Sequence, residues 1–209
     1  MRPDPGVLVV LSGPSGAGKG TLRPYLTKAF PDLAFCVSAT TRPPRAGEVH
    51  GQHYYFLSIE EFQQHIEKGE LLEWASVYGN FYGTPKRPVM EALAQGRVVL
   101  LEKDMQGALS LQETFPEGVF IFVLPPSLEE LKRRLVGRGT ETPEAIQRRL
   151  ATAVSEIRSA GRYGYAVVND DLAEAARRLV AIVTAERCRV SRQNAAWLDA
   201  LVGKGDENR

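Results

Sequence analysis

Five short runs of apolar residues recur along the chain, at positions 7–11, 33–37, 98–101, 119–124 and 165–168. Each is continuous rather than alternating, the pattern of a strand covered by helices on both faces. The stretches between them carry helix-start signals. Ser58 with Glu61, and Ser127 with Glu130, have the spacing of a capping box, and Thr142 followed by Pro143 fits an N-cap with proline at the first helical position. Strands separated by helices predict an α/β fold built on a five-stranded parallel sheet.

Two segments interrupt this rhythm. Residues 38–96 are polar, aromatic and glycine-rich, with shorter strand patterns at 54–57 and 71–77, and read as a small inserted β-containing subdomain. Residues 127–164 carry the arginine-rich helical stretch "LKRRLVGRGTETPEAIQRRL", broken at Gly137 and Gly139, which suits a hinged helical lid. The expected organisation is a core from residues 1–37, 97–126 and 165–209, with the insertion at 38–96 and the lid at 127–164. From residue 171 to about residue 202 the pattern is mostly helical, and the polar end beyond it is expected to be unordered.

The 209 residues are 44% hydrophobic and 24% charged, enough for one compact unit with a buried core. A formal net charge of +1 excludes a global pull toward nucleic acid or anionic membrane, so anion recognition must come from local cations. Cys36 and Cys188 have no second pair, the usage of a reduced chain without a disulfide framework. His50, His53 and His65 lack the cysteine or histidine company of a metal site. The apolar run at 7–11 is too short for a signal sequence or a membrane span, so a cytoplasmic location is expected.

Chemistry enters with "VLVVLSGPSGAGKGT", an apolar strand running into a glycine-rich loop and then a helix-compatible stretch. In that context Gly13, Pro14, Ser15, Gly16, Ala17, Gly18, Lys19, Gly20 and Thr21 form a phosphate-binding loop, the P-loop of nucleoside triphosphatases. The glycines let successive N–H groups face an anion, the helix N-terminus adds partial positive charge, and Lys19 reaches the terminal phosphates. The position after the lysine normally carries a magnesium-holding Ser or Thr, and here it is Gly20. The Thr21 hydroxyl lies about 100° further round the helix and does not substitute. Magnesium keeps several waters readily, so phosphates, waters and a carboxylate elsewhere suffice to hold it. The motif by itself admits an ATPase, a GTPase or a kinase.

The next segment, "SATTRPPRAGEVHGQHYYF", sets Arg42 and Arg45 in a loop stiffened by Pro43 and Pro44. Their planar donor forks suit a phosphate clamp, with a solvated basic loop as the alternative. Together with "GELLEWASVYGNFYGT", "DMQG", "LEELKRRLVGRGTET" and "VVNDDL", these segments make the chain resemble the guanylate kinases over about residues 6–186. That family moves the ATP γ-phosphate onto GMP. The resemblance implies a P-loop core, a GMP-binding insertion and a lid, with ATP as phosphate donor and Mg²⁺ as cofactor. GMP and ATP are then the partners, without nucleic acid or membrane, for a monomer or small homo-oligomer.

The same resemblance implies that Arg42, Arg45, Tyr54 and Tyr82 hold the GMP phosphate, with Glu48 supporting the arginines, and that Ser38, Glu73 and Thr84 read the base. Guanine offers donors at N1 and N2 and an acceptor at O6, complementary to a carboxylate with hydroxyls. Adenine would leave the carboxylate unpaired, and unpaired groups of this kind support discrimination of about 10⁴. From its own residues, Glu73 reads as a surface carboxylate on an edge strand.

"VVLLEKDMQG" places Glu102 and Asp104 at the carboxyl end of a strand, where ligands meet open parallel sheets. The resemblance makes both acceptor-side carboxylates and Asp104 the candidate to position Mg²⁺ through water; capping the following helix is Asp104's alternative. Lys103 between them is an unusual charge with no role assigned. Arg134, Arg138 and Arg149 match the family's lid arginines and Asn169 lies on the ATP side, whereas Arg133, Arg148 and Arg158 read as surface residues. Lys19, Arg42, Arg138 and Arg149 are the expected catalytic cations. Two other readings compete. One is a noncatalytic guanylate-kinase-like interaction module, against which stands the intact phosphate loop. The other is a GTPase or ATPase switch, against which stand the missing N-K-x-D run and the Arg/Tyr insertion.

Overall fold

The computed structural model of the protein describes residues 5–77, 79–137 and 142–193. In chain order the elements are β1 (Val7–Ser12), α1 (Lys19–Ala29), β2 (Ala34–Phe35), β3 (Ala39–Thr40), β4 (Tyr55–Phe56), α2 (Ile59–Glu67), β5 (Leu71–Val77), β6 (Asn80–Pro85), α3 (Lys86–Ala94), β7 (Val98–Glu102), α4 (Met105–Thr114), β8 (Val119–Leu124), α5 (Leu128–Val136), α6 (Pro143–Arg158), β9 (Tyr165–Val168) and α7 (Leu172–Arg187).

The five apolar runs become one parallel sheet in the order β2-β7-β1-β8-β9. Its central strand, β1, is buried along its whole length. Val7, Val9 and Leu11 pack with Leu22 and Leu26 of α1 and Leu179 and Val183 of α7, while Leu8 and Val10 pack with Val89 of α3 and Ala108 and Leu111 of α4. Both faces are apolar because both are covered, and each fully buried Val or Leu contributes about 1.5–3 kcal/mol. The two outer strands depart from the expectation of double cover. Phe35 of β2 and Val168 of β9 are exposed. A strand at the margin packs on one face only.

The insertion forms a second sheet of four strands in the order β4-β3-β6-β5. Strands β5 and β6 are antiparallel, with Glu73 opposite Thr84 and Ala75 opposite Tyr82. The strand patterns at 54–57 and 71–77 appear as β4 and β5, whereas β6 carries Gly83 and Pro85 and shows no strand pattern in the sequence. Gly83 is there for closeness: a Cβ on it would lie 3.0 Å from Phe62 and 3.1 Å from the Glu73 carbonyl oxygen.

The helix starts follow their signals, with one exception. Ser58 Oγ accepts from the Glu61 N–H at 3.1 Å and Glu61 Oε2 accepts from the Ser58 N–H at 2.7 Å, a complete capping box. Thr142 Oγ1 accepts from the Ala145 N–H at 3.3 Å. Ser127 likewise accepts from the Glu130 N–H at 3.1 Å, but the Glu130 carboxylate bonds Arg134 Nε at 2.7 Å and the box stays half-made. Helix α5 ends at Val136 with Gly137 as its C-cap. Arg138 and Gly139, in the break expected to hinge the lid, lie outside the described residues, as does the tail after residue 193. Among the described residues the helical expectation from residue 171 onward is met by α7, Leu172–Arg187, and by a single 3-10 turn at Val190–Arg192. Buried Glu186 then draws Arg192 back to 3.0 Å and also accepts from Tyr165 Oη, so the chain turns.

Candidate active site

The loop between β1 and α1 is held from behind. Gly18 has φ of 94°, and a Cβ there would lie 2.2 Å from Asn169 Nδ2. Asn169 Nδ2 donates to the Ala17 carbonyl oxygen at 2.8 Å, and Arg134 Nη2 donates to the Asn169 carbonyl oxygen at 2.9 Å. From α6, Arg149 Nη1 donates to Ser15 Oγ at 2.7 Å. Lys19 Nζ lies 2.5 Å from the Gly13 carbonyl oxygen and 3.3 Å from that of Pro14, inside the loop's curve. Thr21 Oγ1 donates to the Gly18 carbonyl oxygen at 2.7 Å, so its hydroxyl is committed to its own helical turn. The Thr21 N–H donates to the Gly18 carbonyl oxygen at 3.2 Å, and the N–H groups ahead of it lie at the positive end of the α1 dipole.

A second cationic centre forms on the inserted sheet. Arg42 donates through Nη1 and Nη2 to the two carboxylate oxygens of Glu48 at 2.8 and 2.9 Å, and through Nη1 to the Pro43 carbonyl oxygen at 2.7 Å. Its guanidinium lies 5.3 Å from the Tyr54 ring centroid, and the Tyr54 ring meets the Tyr82 ring edge-on at 6.1 Å. Glu48 also accepts from the Arg45 N–H at 2.7 Å, so one carboxylate pins the loop that carries both arginines. These hydrogen bonds, first from Arg42 and then from Arg45, lower the Glu48 pKa to about 2. A carboxyl held below its ordinary 4.5 stabilises the fold above that pH and loses the contribution as pH falls toward about 2. The difference in melting temperature between wild type and Glu48→Gln should therefore be constant above about pH 5 and shrink below it. A difference indifferent to pH would mean that the pair is not ionic.

Beside it lies a buried polar cluster. Glu73, 5% exposed, accepts on Oε1 from Thr84 Oγ1 at 2.6 Å and pairs there with Lys103 Nζ at 2.7 Å. Lys103 Nζ also donates to Ser38 Oγ at 3.0 Å. The expected base-reading residues Ser38, Glu73 and Thr84 thus meet at one point, although they come from three separate segments. Glu73 is not the surface carboxylate that its strand position suggests.

The cluster and the phosphate loop share one edge of the core sheet. Strands β1 and β7 are parallel neighbours with Leu11 opposite Glu102, and the Lys103 N–H donates to the Leu11 carbonyl oxygen at 2.9 Å. Glu102 closes this edge. Burial raises its pKa against the opposing fields of Arg23 and Lys19, and its Oε1 is buried with no hydrogen-bond partner among the described residues. Its Oε2 lies 4.0 Å from the place where a Cβ of residue 20 would be. The Glu102 carboxylate, one oxygen buried without a partner among the described residues and the other toward residue 20, thus stands over the loop position that lacks a hydroxyl, a donor that suits a hydrated dication shared with phosphates. Asp104 is differently occupied: its Oδ1 caps α4 by accepting from the Gly107 N–H at 2.8 Å. The geometry therefore favours Glu102 over Asp104 as the carboxylate for Mg²⁺.

Sequence reasoning missed two residues here. Tyr163 Oη donates to Ser12 Oγ at 3.0 Å, anchoring the start of the loop from the connection between α6 and β9. Glu156 of α6 is half-buried, its pKa raised by burial, lowered by Lys19 and raised by Asp104, which places it in the field of the phosphate site. Neither belongs to a contiguous motif. Arg133, Arg148 and Arg158 are exposed, and Arg138 lies outside the described residues.

The guanylate kinase family profile matches residues 6–186. The chain is 53% identical over 193 residues to a guanylate kinase of Desulfitobacterium hafniense strain Y51, covering 92% of this chain and 96% of the relative. It is 51% identical over 200 residues to a guanylate kinase of Symbiobacterium thermophilum, covering 96% and 95%. Among solved structures, guanylate kinase from Anaplasma phagocytophilum superposes with a TM-score of 0.77 at 36% identity, covering 97% of this chain and 95% of that one.

Proposed function

The chain belongs to the guanylate kinase family, and from that premise we propose how its residues divide the work of phosphoryl transfer. It is an ATP:GMP phosphotransferase, passing the γ-phosphate of ATP to GMP to give ADP and GDP. One observation carries the division of labour: the phosphate loop and the Glu73 cluster stand at the carboxyl ends of adjacent parallel strands, so a triphosphate in one faces a purine monophosphate in the other.

Lys19 and the N–H groups at the start of α1 take the ATP phosphates, with Asn169 and Arg134 holding the loop's shape. Arg42, fixed by Glu48 and Pro43 and hydrogen-bonded to the Tyr82 side chain, takes the GMP phosphate together with Arg45 and the Tyr54 and Tyr82 hydroxyls. Glu73, Thr84 and Ser38 read the base. Arg149 already bridges lid and loop through Ser15, and with Arg138 it offsets charge on the transferring group. Mg²⁺ held by the ATP phosphates, waters and Glu102 would neutralise charge on those phosphates. The protein supplies alignment and fixed positive charge, because two anions must be brought end to end. A cytoplasmic location, where both nucleotides are found, belongs to the same proposal.

Closure of α5 and α6 over the loop excludes water, which would otherwise accept the phosphoryl group. ADP release should therefore rise about 10²-fold or more when GMP is added to ATP, and far less with AMP, CMP or UMP. Equal rates with and without GMP would overturn the function.

A further inference from the structure

We propose that Lys103 is a specificity-determining residue of the base site: its ammonium group fixes Glu73 with one N–H and presents another to the C6 carbonyl oxygen of a 6-oxopurine. The inference rests on the function proposed above and adds a residue to it. Lys103 is only 8% exposed, and its backbone is tied to β1 through the Leu11 carbonyl oxygen, so the ammonium is held in place. A buried lysine requires an ionic partner, and Glu73 supplies one at 2.7 Å.

The hydrogen-bond inventory of the cluster is incomplete in a way that fits a base. An ammonium group has three N–H donors. Two have acceptors among the described residues, Glu73 Oε1 and Ser38 Oγ. On the carboxylate, both Thr84 and Lys103 fall on Oε1. Oε2 faces the first turn of α4, 3.5 Å from where a Cβ of Gly107 would be, a side chain the sequence omits. What remains is a cationic donor beside an anionic acceptor.

Guanine's edge is the mirror of that pair, with the O6 acceptor beside the N1 and N2 donors. A 6-aminopurine reverses it: the amino group meets the ammonium and the N1 lone pair meets the carboxylate. Lys103 therefore adds a second repulsive contact to the one that Glu73 makes by itself, which is how sites built from paired polar groups reject near-isosteres.

The test is a ligand-by-variant comparison at saturating ATP, using GMP and 6-thio-GMP, whose C6 sulfur is a poor acceptor but which keeps the N1 and N2 donors. Wild type should prefer GMP by about tenfold to a hundredfold in kcat/KM, as expected for one bond to a charged donor. Lys103→Met should lose most of that preference, with the loss in KM for GMP and not in KM for ATP, and Lys103→Arg should retain part of it. If Lys103→Met does not fold, equilibrium binding of the two ligands to Glu73→Gln and to Glu73→Gln/Lys103→Met takes its place: the first should keep the preference for the C6 oxygen, and the second, which leaves no buried charge, should lose it. A wild type indifferent to the C6 atom would overturn the assignment, as would a Lys103→Met enzyme with the wild-type preference. Absence of any GMP-dependent turnover in wild type would overturn the function itself, a result distinguishable from both.

Discussion

Lys19→Met lowers GMP-dependent ADP formation by about 10³-fold or more while leaving the melting temperature almost unchanged. The expectation follows from where the side chain sits. Lys19 Nζ lies against the carbonyl oxygens of Gly13 and Pro14 at the loop, outside the core clusters, so truncating its charge opens no cavity there. In the proposed reaction the same ammonium meets charge on the triphosphate. Preorganised cations and donors of this kind are each worth about 10²–10⁵ in turnover, because they act where water is excluded and need no reorientation. Coupled assay of ADP release, beside a thermal melt of the same sample, checks both halves. Turnover within about tenfold of wild type would mean that the triphosphate is held somewhere other than this loop.

Glu73→Gln should have two large effects at once. Specific activity with GMP should fall by about 10²–10⁴, with little change in the trace activity toward AMP, because a carboxamide cannot accept from both guanine donors. The fold should also weaken. Glu73 and Lys103 side chains are 2% and 8% exposed, and removing one partner of a buried pair costs about 3–5 kcal/mol by leaving the other charge uncompensated. For a chain of this length that is a fall of about 6–20 °C in melting temperature. Adding Lys103→Met to Glu73→Gln should recover most of the stability and none of the GMP activity. Recovery of both together would mean that the pair serves only the fold.

The elements legible beforehand were those whose causes are neighbours along the chain. The run at 7–11 became β1 because a continuous apolar pentapeptide before a glycine-rich loop has few alternatives to a doubly covered strand. The box at Ser58 and Glu61 formed because its four partners lie within one turn. Its counterpart at Ser127 was half-made for a reason also local, Arg134 competing for the same carboxylate one turn on. Strand β6 was illegible because Gly83 and Pro85 break the strand signal, and only the approach of Phe62 and β5 explains the glycine.

The phosphate loop was determined by the sequence by itself, since its glycines, its lysine and the strand and helix around it are contiguous, and backbone sterics act over that range. The cluster proposed to read guanine was decided by tertiary structure. Ser38 and Lys103 are separated by 65 positions, and nothing between them announces that they meet. Whether Lys103 is a stray surface charge or the partner of Glu73, and whether Glu102 or Asp104 faces Gly20, depends on sheet register and burial. A charge acquires its meaning from what lies within a few ångströms after water has been removed, and the sequence carries no record of that distance.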